Sequence, residues 1–308
     1  MSRMKPLFIY LKQYYRALNL KVFLATTLLV AALIVLNYTF GIERRIASLP
    51  LFIERFAGFF CLYLFTFGAA YWIHFSLKKH FWPPGHTFYI LLLLSAALFA
   101  AKISSHRLTA PLTEILDAPW NRYWQVVLDW PVKAVIMFFF VWLIWRIARL
   151  GEPVSGLSTR GFTARPYLVL LLLMLPLLGF AATQADFLAM YPKLKAIGFM
   201  SNEVSQPLPY NIFYELSYGS DFFGIELFFR GFLVLAFARF AGKDAILPMA
   251  AFYCTIHFGK PLLECVSSYF GGIILGVIVY RTQSIWGGLI THLGIAWLME
   301  LAGWLGNK

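Results

Sequence analysis

The sequence predicts an all-α fold, a polytopic transmembrane helix bundle with eight or nine spans. Composition is the first ground. Of 308 residues, 60% are apolar and 13% charged, where soluble domains run at about 45–50% and about 25%; the mean hydropathy is +0.71. The second ground is the recurrence of apolar runs near the roughly 20 residues that cross a bilayer. They lie near 20–41, 51–76, 86–103, 124–148, 167–185, 211–239, 245–259, 263–281 and 285–305. The third is the turn chemistry between them: "WPPGH" at 82–86, "GEPVSGLSTRG" at 151–161 and "SNEVSQPLPYN" at 201–211, rich in the residues that punctuate helices.

The elements follow in order. Residues 1–21 hold Arg3, Lys5, Lys12, Arg16 and Lys21 among aromatics, the pattern of a basic interfacial segment leading into an uncleaved first span. The runs 86–103 and 245–259 are short, and a re-entrant segment at either accounts for the choice between eight and nine. A net charge of +12 could suit nucleic acid, but Lys and Arg sit mainly between apolar runs. Anionic lipid and the positive-inside rule explain them, so the bilayer is the expected partner and nucleic acid is not. With the N-terminus cytoplasmic, "LKKH" at 77–80 and the stretch with Arg146, Arg149, Arg160 and Arg165 face the same side. A bacterial inner (plasma) membrane is the expected location. Cys61, Cys254 and Cys265 are odd in number and lack metal-ligand spacing, which argues against a disulfide framework or zinc knuckle.

Two parts differ in character. Residues 1–200 join the basic segment to bland spans, "YLVLLLLMLPLLGF" being the extreme; residues 201–308 contain Glu215, Asp221, Glu226, Arg230, His257, Glu264 and His292. An ionisable group at mid-membrane costs about 2.5–3.5 kcal/mol on insertion scales, so the pair inside "GIELFFRGFLVLAF" at 224–237 needs a reason. Glu226 and Arg230 stand at i and i+4, acid first, the favourable order for a helical ion pair. By themselves they fit a structural clamp as well as a site. His257 at the end of "AILPMAAFYCTIHF" and His292 inside "IWGGLITHLGIAWLM" turn the reading towards chemistry. A carboxylate or imidazole can take a proton from water while the other imidazole protonates a leaving amine or steadies an oxyanion. That chemistry needs no cofactor. A divalent metal such as zinc on Glu226, His257 and His292 is the competing use, though HExxH is absent and the ligands would come from three separate helices. His74, His80, His86 and His106 fall near span ends, where interfacial placement suffices.

Three segments in order, "IELFFRG" at 225–231, "YCTIH" at 253–257 and "HLGIA" at 292–296, resemble the motifs of the CAAX prenyl protease and bacteriocin-processing (CPBP) family of intramembrane proteases. Those motifs are Glu-Glu-x-x-x-Arg, Phe-x-x-x-His and His-x-x-x-Asn or Asp on successive helices. The resemblance covers about residues 211–305. It implies a membrane endopeptidase whose site includes Glu226, Arg230, His257 and His292, acting on a prenylated or leader-bearing polypeptide. The chain also departs from the pattern. The family's first Glu falls on Ile225, its Phe on Tyr253, and its Asn or Asp on Ala296. Loss of one oxyanion donor typically costs about 2.7–4 kcal/mol of transition-state stabilisation. Asp221, four residues before Ile225 and on its face, is the candidate substitute carboxylate, with a polar position at the membrane edge as the plainer alternative. Glu215 reads as an edge residue, and Glu264 equally as an edge residue after Lys260 or as a hydrogen-bond partner for a neighbouring group.

The expected function is therefore a CPBP-type endopeptidase with an altered motif. The alternative is a catalytically silent relative serving as a membrane scaffold or bacteriocin self-immunity factor. A proton-relay transporter ranks last, since the halves show no inverted repeat. The peptidase reading expects His257 and His292 to face one cavity and Glu226 to form a buried salt bridge with Arg230.

Overall fold

The computed structural model describes residues 5–78, 85–106, 108–160 and 162–308. Arg3, Lys79, His80, residues 82–84 of the "WPPGH" turn and Gly161 lie outside the described residues. Among those described, the elements are helices, with one isolated bridge between Leu157 and Ser284.

Among the described residues, six helices are long and apolar enough to cross a membrane: Leu20–Phe40, Phe52–Leu77, His86–Ser104, Trp120–Ile147, Leu262–Thr282 and Trp286–Gly306. Arg165–Ala181 and Ala185–Glu203 form a pair bent by 99°, and counting it as one span gives seven. The difference from eight or nine arises in two places. The run expected at 211–239 belongs to a longer helical stretch, Leu208–Glu226 continuing through Leu227–Ala236 and Phe237–Ala241, whose charged residues lower its hydropathy. The run expected at 245–259 forms only the ten-residue helix Ile246–Thr255. At about 1.5 Å per residue that is about 15 Å, half the hydrocarbon thickness. All ten residues are buried, so this apolar segment answers to protein neighbours and not to lipid.

The chain folds as two compact units. One comprises the chain through Ser105 with Phe140–Phe162 and Leu227–Trp286. Here Ile246–Thr255 packs against Leu20–Phe40, Phe52–Leu77 and Leu262–Thr282. Aromatic rings fill the space between: Tyr63 and Phe252 lie 4.9 Å apart, Phe99 and Phe229 5.0 Å, Tyr71 and Phe88 5.1 Å, distances typical of favourable ring pairs. Leu20–Phe40 begins at Asn19, whose side chain accepts the Lys21 and Val22 amides, a normal N-cap. It ends at Gly41, left-handed at φ 62°, whose N–H bonds Asn37 O, an arrangement glycine adopts without strain. Beside its start, Lys243 Nζ donates to Ala17 O at 2.6 Å. Near its end, Asn37 Nδ2 donates to Phe258 O at 3.0 Å.

The other unit comprises His106–Phe139, Thr163–Glu226 and Gly287–Lys308. One apolar cluster joins Tyr123, Val127, Ile197, Met200, Tyr214, Tyr218 and Ala296. A second joins Leu178, Phe187, Tyr191 and Met299. Glu300 accepts the amides of Lys193 at 2.8 Å and Leu194 at 3.1 Å, which satisfies a carboxylate inside the last helix.

Candidate active site

The stretch 208–241 changes winding at the residue of interest. It is α-helical through Glu226, and then Leu227–Ala236 adopt the π form. The π form closes i→i+5 bonds and is rare, often marking functional sites. Arg230 therefore does not stand at an ordinary α-helical i+4 from Glu226. The unit boundary falls at the same point, between Glu226 and Leu227.

In the unit ending at Glu226, the carboxylate is 0% exposed and the His292 side chain 15%. His292 Nδ1 lies 2.9 Å from Glu226 Oε1. An ionised carboxylate only accepts, so Nδ1–H donates and the ring's lone pair is on Nε2. Phe222, one turn before Glu226, meets the imidazole edge to face at 4.8 Å and 74°. Two residues of one helix thus hold the ring: Glu226 fixes its tautomer and Phe222 its plane. The bond joins residues 66 positions apart in sequence.

In the other unit, Arg230 is buried with its guanidinium 3.8 Å from the centre of the Tyr253 ring, well inside cation–π range. His257 lies just past the end of Ile246–Thr255, half-buried. Its Nδ1 is 2.9 Å from Tyr253 O and its ring 4.6 Å from the Tyr253 ring. A carbonyl can only accept, so His257 too carries its proton on Nδ1 and its lone pair on Nε2. Tyr253 stands where the family pattern has Phe, and it serves Arg230 with its ring face and His257 with its backbone.

The departures from the family pattern have physical surroundings of their own. Ile225 is buried, 8% exposed. Asp221 is half-buried on the α-helical part of the same helix. Ala296 is 3% exposed within the apolar cluster of Tyr123, Tyr214 and Tyr218. An amide placed there would be desolvated among rings, so Ala296→Asn is expected to lower stability by about 1–3 kcal/mol. Thermal unfolding in detergent measures this, and an unchanged or raised midpoint would show that the position takes a polar group readily.

Sequence reasoning missed Phe222 and the double service of Tyr253, because a lone aromatic in an apolar run carries no signal of its own. It also missed Gly231. A Cβ built there overlaps the Ser155 carbonyl oxygen and comes within 3.0 Å of Ser155 Cβ. The glycine beside Arg230 was the available clue.

The fold and these side chains define a class: a multi-pass helical membrane protein with a carboxylate–imidazole pair buried in it. Residues 220–298 match the family model described as Type II CAAX prenyl endopeptidase Rce1-like, so this segment is CAAX-endopeptidase-like, as its motif order predicts. The match takes in Glu226, Arg230, His257 and His292 and spans about a quarter of the chain. No curated protein and no solved structure matches the chain.

Proposed function

We propose that this protein is a membrane endopeptidase of the CAAX type that hydrolyses a peptide bond at or in the bilayer. The observation that carries the reading is the 2.9 Å bond between His292 Nδ1 and the buried Glu226 carboxylate, inside the segment that matches the family. With Nδ1–H held by the carboxylate, Nε2 of His292 takes a proton from the attacking water, and Glu226 steadies the imidazolium that results. His257 supplies the second imidazole: protonated from solvent before the reaction, it gives that proton to the leaving amine, and His292 afterwards returns its own to solvent. Asp221 is the carboxylate offered in place of the one Ile225 lacks. This chemistry requires no metal. The substrate is a polypeptide, prenylated near its C-terminus, as the words of the family's description suggest.

The topology that goes with this reading has eight crossings, the stretch 208–241 being added to the six long helices and the bent pair, while 245–259 is the short segment that does not cross. The N-terminus is cytoplasmic and the membrane is a bacterial plasma membrane. A silent scaffold or self-immunity role is the second reading, favoured by the buried, apolar settings of Ile225 and Ala296.

The test is incubation of the purified protein in nanodiscs with a farnesylated Cys-a-a-X peptide and its unprenylated twin. Release of the C-terminal tripeptide from the farnesylated peptide is expected, undiminished by a chelator. Release no greater than that given by His292→Ala would favour the silent reading, and loss of release on chelation would favour zinc on Glu226, His257 and His292.

A further inference from the structure

The turn that bears His257 joins Ile246–Thr255 to Leu262–Thr282 and uses part of its own hydrogen-bonding capacity. His257 N–H bonds Cys254 O at 3.0 Å, and Lys260 N–H bonds His257 O at 3.0 Å. The carbonyls of Phe258 and Lys260 are met from elsewhere. Asn37 Nδ2 donates to Phe258 O at 3.0 Å, and Tyr38 Oη donates to Lys260 O at 2.6 Å. Between them, a Cβ on Gly259 would stand 2.9 Å from Glu43 Oε2, so the turn lies directly on that carboxylate.

Three successive residues of the turn are thus engaged by residues 37–43, at the junction of Leu20–Phe40 and Ile42–Ala47. Asn37 is itself buried within a spanning helix, where a primary amide is costly unless its polar atoms are bonded. Its Oδ1 accepts the Glu43 amide at 2.9 Å while its Nδ2 serves the turn. One side chain thereby ties the end of Leu20–Phe40 to the start of Ile42–Ala47 and both to the residue after His257. All of 37–43 lies outside the segment that matches the family.

We propose that Asn37, with Tyr38 and Glu43, is a positioning element for His257, fixing the turn that presents the imidazole. The proposal rests on the reading of His257 as part of the hydrolytic site. Its test compares Asn37→Ala and Tyr38→Phe with the wild-type chain, by hydrogen–deuterium exchange and by cleavage of the farnesylated peptide. Tyr38 lies on the exposed apolar surface, so loss of its hydroxyl leaves the packing in place even where Asn37→Ala reduces folding. Exchange across 256–261 is expected to rise roughly two- to tenfold in Tyr38→Phe and further in Asn37→Ala, with the other spans unchanged. In Asn37→Ala, kcat should fall by about 10- to 100-fold at constant KM, the mark of a displaced reacting group. Exchange across 256–261 that stays at wild type in both variants overturns the proposal, as does faster exchange everywhere or a wild-type kcat in Asn37→Ala. If His257→Ala cleaves as well as wild type, the hydrolytic reading of His257 fails instead, and the exchange data alone decide whether 37–43 holds the turn.

Discussion

His292→Ala is expected to reduce cleavage of a farnesylated peptide to background. General acid–base catalysis contributes about 10²–10⁴-fold, and this substitution removes both the nitrogen that takes the proton and the donor at 2.9 Å from Glu226 Oε1. Because Glu226 is fully buried, the variant should also unfold at a lower temperature, and cleavage is to be compared at matched amounts of folded protein. Glu226→Gln separates the two contributions. Its amide oxygen can still accept from Nδ1–H, but the charge that steadies an imidazolium is gone, so cleavage should fall by about 10²-fold or more. If Glu226 also neutralises Arg230, the yield of folded protein falls with it, since removing one member of a buried pair costs about 3–5 kcal/mol. Wild-type cleavage by either variant would remove the carboxylate–imidazole pair from the mechanism.

The largest loss of stability is expected from Gly231→Ala. The added methyl group would overlap the carbonyl oxygen of Ser155, a backbone atom with little room to withdraw. Ser155 already holds a left-handed φ of 45°, uncommon for a residue with a side chain. Its loop is tied down on the far side as well: Ile285 N–H bonds Gly156 O at 3.0 Å and Ser284 Oγ donates to Ser158 O at 2.6 Å. Neither the π segment nor the loop can shift cheaply, and about 3 kcal/mol or more of stability should be lost. Thermal unfolding in detergent reads this directly. A midpoint within a degree or two of wild type would mean that the π segment slides past Ser155 without penalty.

The sequence made the helical class and most span positions legible, since apolar runs and turn residues impose themselves over whole segments. The motifs singled out Glu226 and His292, but with Arg230 and His257 as their expected partners; hydrophobic periodicity cannot see a bond between residues so far apart. Helix length was less readable in 245–259. An apolar run looks the same whether lipid or protein surrounds it, and here protein does. The π winding left no trace either, because "LFFRGFLVLA" has the composition of an ordinary apolar helix. Asn37 was visible as a polar residue inside the first span. Its importance depended on Phe258, which nothing local in "LNYTFGIE" could supply. At Ala296 the family pattern raised the question, and the ring cluster gives a packing reason for a small apolar residue.

The first spanning helix has a consequence for sidedness. Its 21 residues rise about 31 Å, the thickness of a bilayer's hydrocarbon, so its ends belong to opposite leaflets. Lys243, bonded to Ala17 O, marks the leaflet where the helix starts, alongside the basic Lys5–Arg16 segment. Phe258, held by Asn37, marks the leaflet where it ends, and His257 adjoins Phe258. His257 therefore stands near the opposite end of the first helix from the basic N-terminal helix. Under the proposed activity a polypeptide would reach it from that end, so the orientation of the first span would decide which population of proteins this molecule can meet.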